Sequence, residues 1–299
     1  MKNDGVSVII TAYHTADYIE ECLDSISNQT WFKTHDEWEI LVGIDHCEET
    51  LKKVKSIMHK YTHLRVFYMD ENVGTYITSN TLIEKSKYSR FLRFDSDDIM
   101  KEEMVEKMVE TMNTVERCKI VQCYFEMFPK KEGKRGVNVA HGVFLCKKTV
   151  FKKCGGFMPW KCAADTEFLT RTNKEYTRPV TYPLVLFYYR MHDESLTKKK
   201  DTSMQSELRA QYRAYIEKES ASHPVIKTVT APATEIFPET EVKEEPLIQI
   251  KSETHEPVVT IQKSEDLIPV IFEPGKKHYV KKVTNAVKRR VSTGIYNGI

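Results

Sequence analysis

The chain has 299 residues, 40% apolar and 29% charged, with a net charge of +2. That is enough apolar content for one large core or two small ones; the charge argues neither way on nucleic acid, and no such partner is expected. The seven cysteines, at 22, 47, 118, 123, 146, 154 and 162, form no C-x-x-C pair, which argues against a zinc site or a disulfide framework and fits a reducing compartment.

Val6–Ile10 is too short an apolar run for a leader, and no stretch approaches the roughly 20 apolar residues of a membrane span. The expectation is therefore a soluble, cytoplasmic protein. Val6–Ile10 instead reads as a buried, β-branched strand, which Thr11-Ala12-Tyr13-His14 leaves. A helix is predicted over 17–29, where Tyr18, Ile19, Cys22, Leu23 and Ile26 recur at helical spacing. Trp38–Ile44 reads as a strand ending at Asp45, Glu48–Lys60 as a helix, and Leu64–Tyr68 as a strand. Asn72-Val73-Gly74 is a turn, Thr78–Lys85 a helix, and Ser89–Phe94 a fourth strand. Strand and helix alternate at the spacing of βαβ units, which predicts a parallel sheet flanked by helices.

Asp95, Asp97 and Asp98 follow that fourth strand, three carboxylates within four positions. Their mutual repulsion is costly unless a cation sits among them. Oxygen ligands at a strand end suit a hard ion, Mg2+ or Mn2+, that keeps part of its shell for water and phosphate oxygens. The competing reading is that these residues cap a helix starting near Ile99.

Further on, Lys101–Met112 reads as a helix, Ile120–Phe128 as a strand, and 130–136 as a basic hairpin tip. Gly142–Leu145 is a strand, Lys147–Cys154 a short helix, and Gly155–Phe157 a hinge before Trp160. Asp165–Arg171 is a helical turn, Leu184–Tyr189 a strand, and Met204–Lys218 a closing helix. Residues 1–218 are thus expected to form one domain. From 219 to 275 the chain is rich in Pro, Glu, Thr and Lys without periodicity, which reads as a disordered linker. Within it, 246–253 and 257–265 resemble each other; the alternative is that they add strands to a partner's sheet edge. The basic segment 276–299 is either a solvated tail or a peripheral contact with an anionic membrane surface.

In parallel α/β sheets ligands bind beyond the carboxyl ends of the strands. Thr11–Tyr13, Asp45, Asn72–Gly74 and Asp95–Asp98 are therefore expected along one rim. Each is weak alone, since Asp45 also suits a plain turn and Gly74 a positive φ.

Together, Val6–Tyr13, the helix to Gln29, Glu39–Val42, Asn72–Gly74 and Phe94–Asp98 resemble the family-2 glycosyltransferases, over roughly residues 5–200. The resemblance implies a GT-A-type, Rossmann-like α/β fold with a mostly parallel sheet, and inverting transfer of a sugar from a nucleotide-sugar, a UDP-sugar by preference. It also implies Mn2+ or Mg2+ as cofactor and a glycan, protein or lipid-linked acceptor. Carried over by position, Thr11, Ala12, Tyr13, Asp45, Asn72, Gly74 and Asp95 would bind the nucleotide, with Asp45 on the base edge and Asp95 near the ribose. Asp97 of the D-x-D pair and His192 would reach the metal. Asp165 would be the general base. Asp98, Glu167 and Arg190 would support, with Glu167 the fallback base. Two departures stand out: Ile44 and His46-Cys47 flank Asp45 in place of the family's usual acids and Gly-Ser, and Ala164 replaces an acid before Asp165. A catalytically inactive scaffold is the first rival. A nucleotidyltransferase is the second, but Thr11–His14 lacks the glycines of a phosphate loop.

Overall fold

The computed structural model describes residues 4–129, 137–175, 178–193, 195–220, 222 and 225–238, and the backbone of 258–262 and 267–271. The chain divides into two units, residues 1–240 and 241–299.

In the first unit, Val6–Ala12 (β1), Trp38–Ile44 (β2), Leu64–Met69 (β3) and Arg90–Asp95 (β4) pair in parallel in the order β4-β1-β2-β3. Helices Ile19–Ser27 (α1), Glu48–Ile57 (α2) and Thr75–Lys85 (α3) connect them. These strands are buried at nearly every position because helices cover both faces, and their interior residues are mostly apolar. Val8 and Ile10 point into one core with Ile19, Leu23 and Val54. Ile9, one residue out of phase, points into the other with Tyr76, Leu82 and Ile83.

This four-stranded part is the parallel core that the alternation predicts. Ile99–Met100 (β5), Ile120–Phe128 (β6), Val137–Lys147 (β7), Val180–Arg190 (β8) and Ala233–Ile236 (β9) extend it. Among the described residues the full order is β5-β8-β6-β7-β4-β1-β2-β3-β9. The added strands make the sheet mixed: β7 is antiparallel to β4, and β9 to β3. Helices Met104–Thr114 (α4), Lys148–Cys154 (α5), Ala164–Glu175 (α6) and Glu207–Lys218 (α7) complete the layers.

Three expectations need correction. No helix starts at Ile99: Ile99–Met100 pairs with Tyr188 and Phe187 of β8, and α4 begins only at Met104. The Asp cluster is therefore not a helix cap. Helix α3 begins at Thr75, three residues early, because Gly74 at φ +84° takes a left-handed turn straight into it. The chain also does not leave the fold at Lys218. Ile226 N donates to the Cys154 carbonyl and Gly156 N to Thr228 Oγ1, each at 2.9 Å. Asn80 donates to the Val229 carbonyl, and β9 then adds to the sheet edge on β3. Hydrogen bonds rather than an apolar stripe hold this return, so composition alone misses it.

The second unit contains an antiparallel pair, Val258–Gln262 (β10) with Leu267–Ile271 (β11). β10 falls in the second of the two similar runs, inside the expected linker. The first run, the basic tail from 276 and the loop at 130–136 lie outside the described residues. No helix among the described residues is long and apolar enough to cross a membrane. All seven cysteines are free thiols and buried.

Candidate active site at the carboxyl rim of the sheet

The parallel registers bring the ends of β1, β2 and β4 level: Thr11 is opposite Gly43 on one side and Asp95 on the other. Thr11 Oγ1 meets Thr75 Oγ1 at 2.6 Å, which ties β1 to the start of α3. Ala12 is buried beneath the rim and Tyr13 is exposed on it. His14 and His46, just past β1 and β2, both adopt left-handed φ (54° and 52°), so both strands end in a constrained turn.

Asp45 is placed differently from its expected role on a nucleobase. It is 3% exposed, and its two oxygens accept the backbone N–H groups of Val73 (2.8 Å) and Gly74 (2.9 Å). Asn72 Nδ2 donates back to the Asp45 carbonyl. Burial raises the Asp45 pKa, and the two N–H groups oppose that rise. Asp45 is a clamp that shapes the Asn72–Gly74 loop. Asp45→Asn replaces one acceptor by a donor facing an N–H, and should cost about 1–3 kcal/mol of stability. Urea unfolding without ligand reads this loss; unchanged stability with altered nucleotide preference would instead mean that Asp45 reads the base.

At the end of β4 the side chains diverge. Asp97 Oδ2 lies 2.7 Å from His192 Nε2, although the residues are 95 apart in sequence. Asp98 is 1% exposed: one oxygen accepts Arg190 N at 2.9 Å and the other has no hydrogen-bond partner. Burial, with Asp97 and Asp95 adjacent, pushes the Asp98 carboxyl well up. Arg190 ties this loop together, donating from Nε to the Asp97 carbonyl, pairing with Glu21 and lying over the Tyr18 ring.

A divalent ion fits this pair as an open site. Asp97 and His192 bring one carboxylate oxygen and one imidazole nitrogen, Nε2, within 2.7 Å of each other, and Nδ1 on the other side of the ring is buried with no hydrogen-bond partner among the described residues. No cluster of three or more His, Cys, Asp or Glu able to hold a metal occurs among the described residues. The pair would therefore supply only two of an ion's ligands, and water and phosphate oxygens would have to supply the rest.

Asp165 reaches the same rim from α6. It sits in the helix's first turn and is half-buried, with Oδ1 accepting Thr166 N at 2.7 Å. Its other oxygen faces Gly142. A Cβ on Gly142 would lie 3.0 Å from Asp165 Oδ2, 3.2 Å from Arg93 Nη1 and 3.8 Å from Asp95 Oδ2. The strand bulges here: Gln122 pairs with Phe144 but Tyr124 with Val139, so β7 carries extra residues around Gly142. A glycine here leaves the space between the two carboxylates open, where any side chain would crowd Asp165 and Arg93.

Glu167 takes no part in this. It and Arg171 are wholly buried and paired at 2.8 Å, with Arg171 also donating to the Cys154 and Gly156 carbonyls. It is a structural anchor and not an alternative base. Removing one partner of a buried pair leaves an uncompensated charge. Glu167→Ala should therefore lose about 3–5 kcal/mol in denaturant unfolding. Trp160 stacks on Tyr212 (4.3 Å, 3° between planes), so that ring face is not free for a sugar.

Sequence reasoning missed Arg93. It is 4% exposed, and its Nη2 pairs with Asp95 Oδ1 at 3.0 Å and donates to Thr75 Oγ1 at 3.1 Å. Nη1 donates to the Gly142 carbonyl. The signal was an arginine at position 93, flanked by Leu92 and Phe94 in the middle of a buried strand, where an unpaired charge is not tolerated. A cleft of about 300 Å³ lined by Trp31, His35 and Glu106, and one of about 270 Å³ lined by Trp38, His63 and Arg65, involve none of these rim residues.

Known proteins resemble this chain in sequence and fold. The profile of Glycosyl transferase family 2 matches residues 7–165, more than half of the chain. The putative teichuronic acid biosynthesis glycosyltransferase TuaG of Bacillus subtilis is 32% identical over 112 residues, 36% of this chain and 41% of that protein. Glycosyltransferase AglE of Haloferax volcanii is 30% identical over 109 residues, 36% of this chain and 35% of that protein. The matched stretch is thus less than half the length of either relative. Among solved structures, S. aureus TarS 1–349 in complex with UDP-GlcNAc superposes with a TM-score of 0.55 at 19% identity, covering 64% of this chain and 60% of TarS 1–349. Mannosyltransferase PcManGT from Pyrobaculum calidifontis, in complex with GDP-Man and Mn2+, gives 0.55 at 17% identity, covering 73% and 72%. At these identities the likeness shows the fold, which is the GT-A type. With the profile spanning the rim from β1 to Asp165, the chain belongs to the family 2 glycosyl transferases.

Proposed function

We propose that this chain transfers a sugar from a nucleoside-diphosphate sugar, a UDP-sugar by preference, to an acceptor hydroxyl with inversion at C1, in the presence of Mn2+ or Mg2+. The observation that carries the reading is convergence. Asp97 with His192, Asp95, and Asp165 come from three separate parts of the chain and meet on one rim, with a glycine slot between Asp95 and Asp165. The nucleotide-sugars in the neighbouring structures, UDP-GlcNAc and GDP-Man, agree with it.

The residues divide the work. Thr11–Tyr13 and the loop shaped by Asp45 line the nucleotide side, with Asn72 and Gly74 at its edge. Asp95 approaches the ribose. Asp97 and His192 hold the ion, which when bound offsets the charge growing on the departing diphosphate. Arg190 and Asp98 keep that pair in place. Asp165 Oδ2 accepts the proton of the attacking hydroxyl. The bond from C1 to the acceptor oxygen forms as the bond from C1 to the diphosphate oxygen breaks; its electron pair leaves with the nucleoside diphosphate, and the proton rests on Asp165.

A thermal-shift panel of UDP- and GDP-sugars, each with Mn2+ and with EDTA, tests the reading. A ligand bound only by the folded state raises the melting temperature, by about 2.7 kcal/mol of stabilisation at a hundred times its Kd. One donor should raise it with Mn2+ and far less with EDTA. No shift with any donor would contradict the reading.

A further inference from the structure

The rim contains a buried cation for which the division of roles above has no task. We propose that Arg93 is a positioning residue of the transfer site: it fixes the distance between Asp95, on the donor side, and Asp165, on the acceptor side. The inference rests on the transferase reading and deepens it.

The geometry is that of a cross-link. One guanidinium pairs with Asp95 at the end of β4, donates to Thr75 at the start of α3 and donates to the Gly142 carbonyl in the bulge of β7. Thr75 is joined to Thr11 of β1. Arg93 also lies 5.7 Å from the centre of the Tyr76 ring, and its Nε is buried without a partner. Four rim elements are thus referred to one side chain that is 4% exposed. Across the slot, the Asp165 oxygen and Arg93 Nη1 would both press on any Cβ at position 142.

Fold stability alone does not call for this arrangement, because a well-packed apolar residue often serves a core as well as a buried ion pair does. What the guanidinium adds is direction. It is planar and rigid, with donors aimed at three acceptors at once, whereas a lysine ammonium is a point charge on a flexible stem. It also offsets the repulsion between Asp95 and Asp165, which face one slot with no other cation in contact with either among the described residues. Displacing reacting groups by about 1 Å costs on the order of 10²-fold in rate.

The test uses the full chain with Mn2+ and three probes, UDP-glucose, UDP-GlcNAc and GDP-mannose, followed by release of nucleoside diphosphate. Arg93→Lys keeps the charge and loses the fork. It should lower kcat about 100-fold, with the donor KM within about threefold and the melting temperature nearly unchanged; a kcat loss without a KM change marks an interaction made in the transition state. If Arg93→Lys does not fold, Thr75→Val serves instead: it removes the hydroxyl that accepts from Nη2 and that also meets Thr11 Oγ1, leaves Nη2 paired with Asp95, and should lower kcat about tenfold with the donor KM within about threefold. Wild-type kcat in the variant would overturn the inference and leave the transferase reading standing, and so would a parallel loss of kcat and donor affinity. Wild-type protein that releases nothing from any donor would overturn the transferase reading, and this inference with it.

Discussion

Replacing Asp97 by asparagine is expected to lower metal-dependent transfer by about three orders of magnitude, close to 4 kcal/mol of transition-state stabilisation. Among the described residues the Asp97 carboxylate has one hydrogen-bond partner, His192 Nε2, and it is partly open to solvent. An amide oxygen preserves that hydrogen bond but carries no charge, and it is a poor ligand for a hard cation. Left alone, the His192 nitrogen cannot hold Mg2+ or Mn2+ against water. The fold should survive, since the backbone carbonyl of Asp97 still accepts from Arg190 Nε and the buried Asp98 still anchors β8. Melting temperature and initial rate, measured on one preparation, separate the two effects. Full activity in Asp97→Asn would remove the ion site from this pair. Unfolding of the variant would mean that the carboxylate serves stability first.

Asp165→Asn should lower turnover about 10²–10⁴-fold, the usual contribution of a positioned general base, while leaving donor affinity within about twofold. Asp165 has no contact with Asp97 or His192. Its hydrogen-bond partner is Thr166 at the start of its own helix, and an asparagine oxygen can accept that bond equally well. The structural loss is the favourable interaction of a carboxylate with the first turn, about 0.3–1 kcal/mol. Single-turnover kinetics with calorimetric donor titration read both quantities. Loss of donor binding together with turnover would make Asp165 a structural residue of α6.

The sequence carried the fold unevenly. The first four strands were legible to within two residues, because each contains a short apolar or aromatic run bounded by polar turns, and the first two are followed by amphipathic helices. Parallel register then put Asp45, Asn72 and Asp95 on one rim without further information. Position on the rim did not reveal direction. Asp45 turns inward onto Val73 and Gly74, and Glu167 inward onto Arg171. A carboxylate looks the same in sequence whether it faces ligand or backbone. The edge strand at Ala233–Ile236 was missed because it docks through a four-residue backbone ladder to β3 and a Glu235–Arg65 pair, after threonine and asparagine hydrogen bonds to residues 228–231, and none of these leaves a hydrophobic period. The Gly142 slot arises from a register shift between β6 and β7, a property of two strands together. Arg93 was visible as an anomaly but had no partner in sequence: Thr75 and Gly142 lie 18 and 49 residues away.

In the proposed site Asp97 and His192 would hold a divalent cation that supplies positive charge to the donor's diphosphate. Calorimetric titration of UDP, and separately of GDP, into the full chain with Mn2+ and then with EDTA tests it most directly. The account predicts that one nucleotide binds at least about tenfold tighter with Mn2+, roughly 1.4 kcal/mol, and that Asp97→Asn abolishes the difference. Equal affinity with and without metal, or a metal effect that survives in Asp97→Asn, would contradict it.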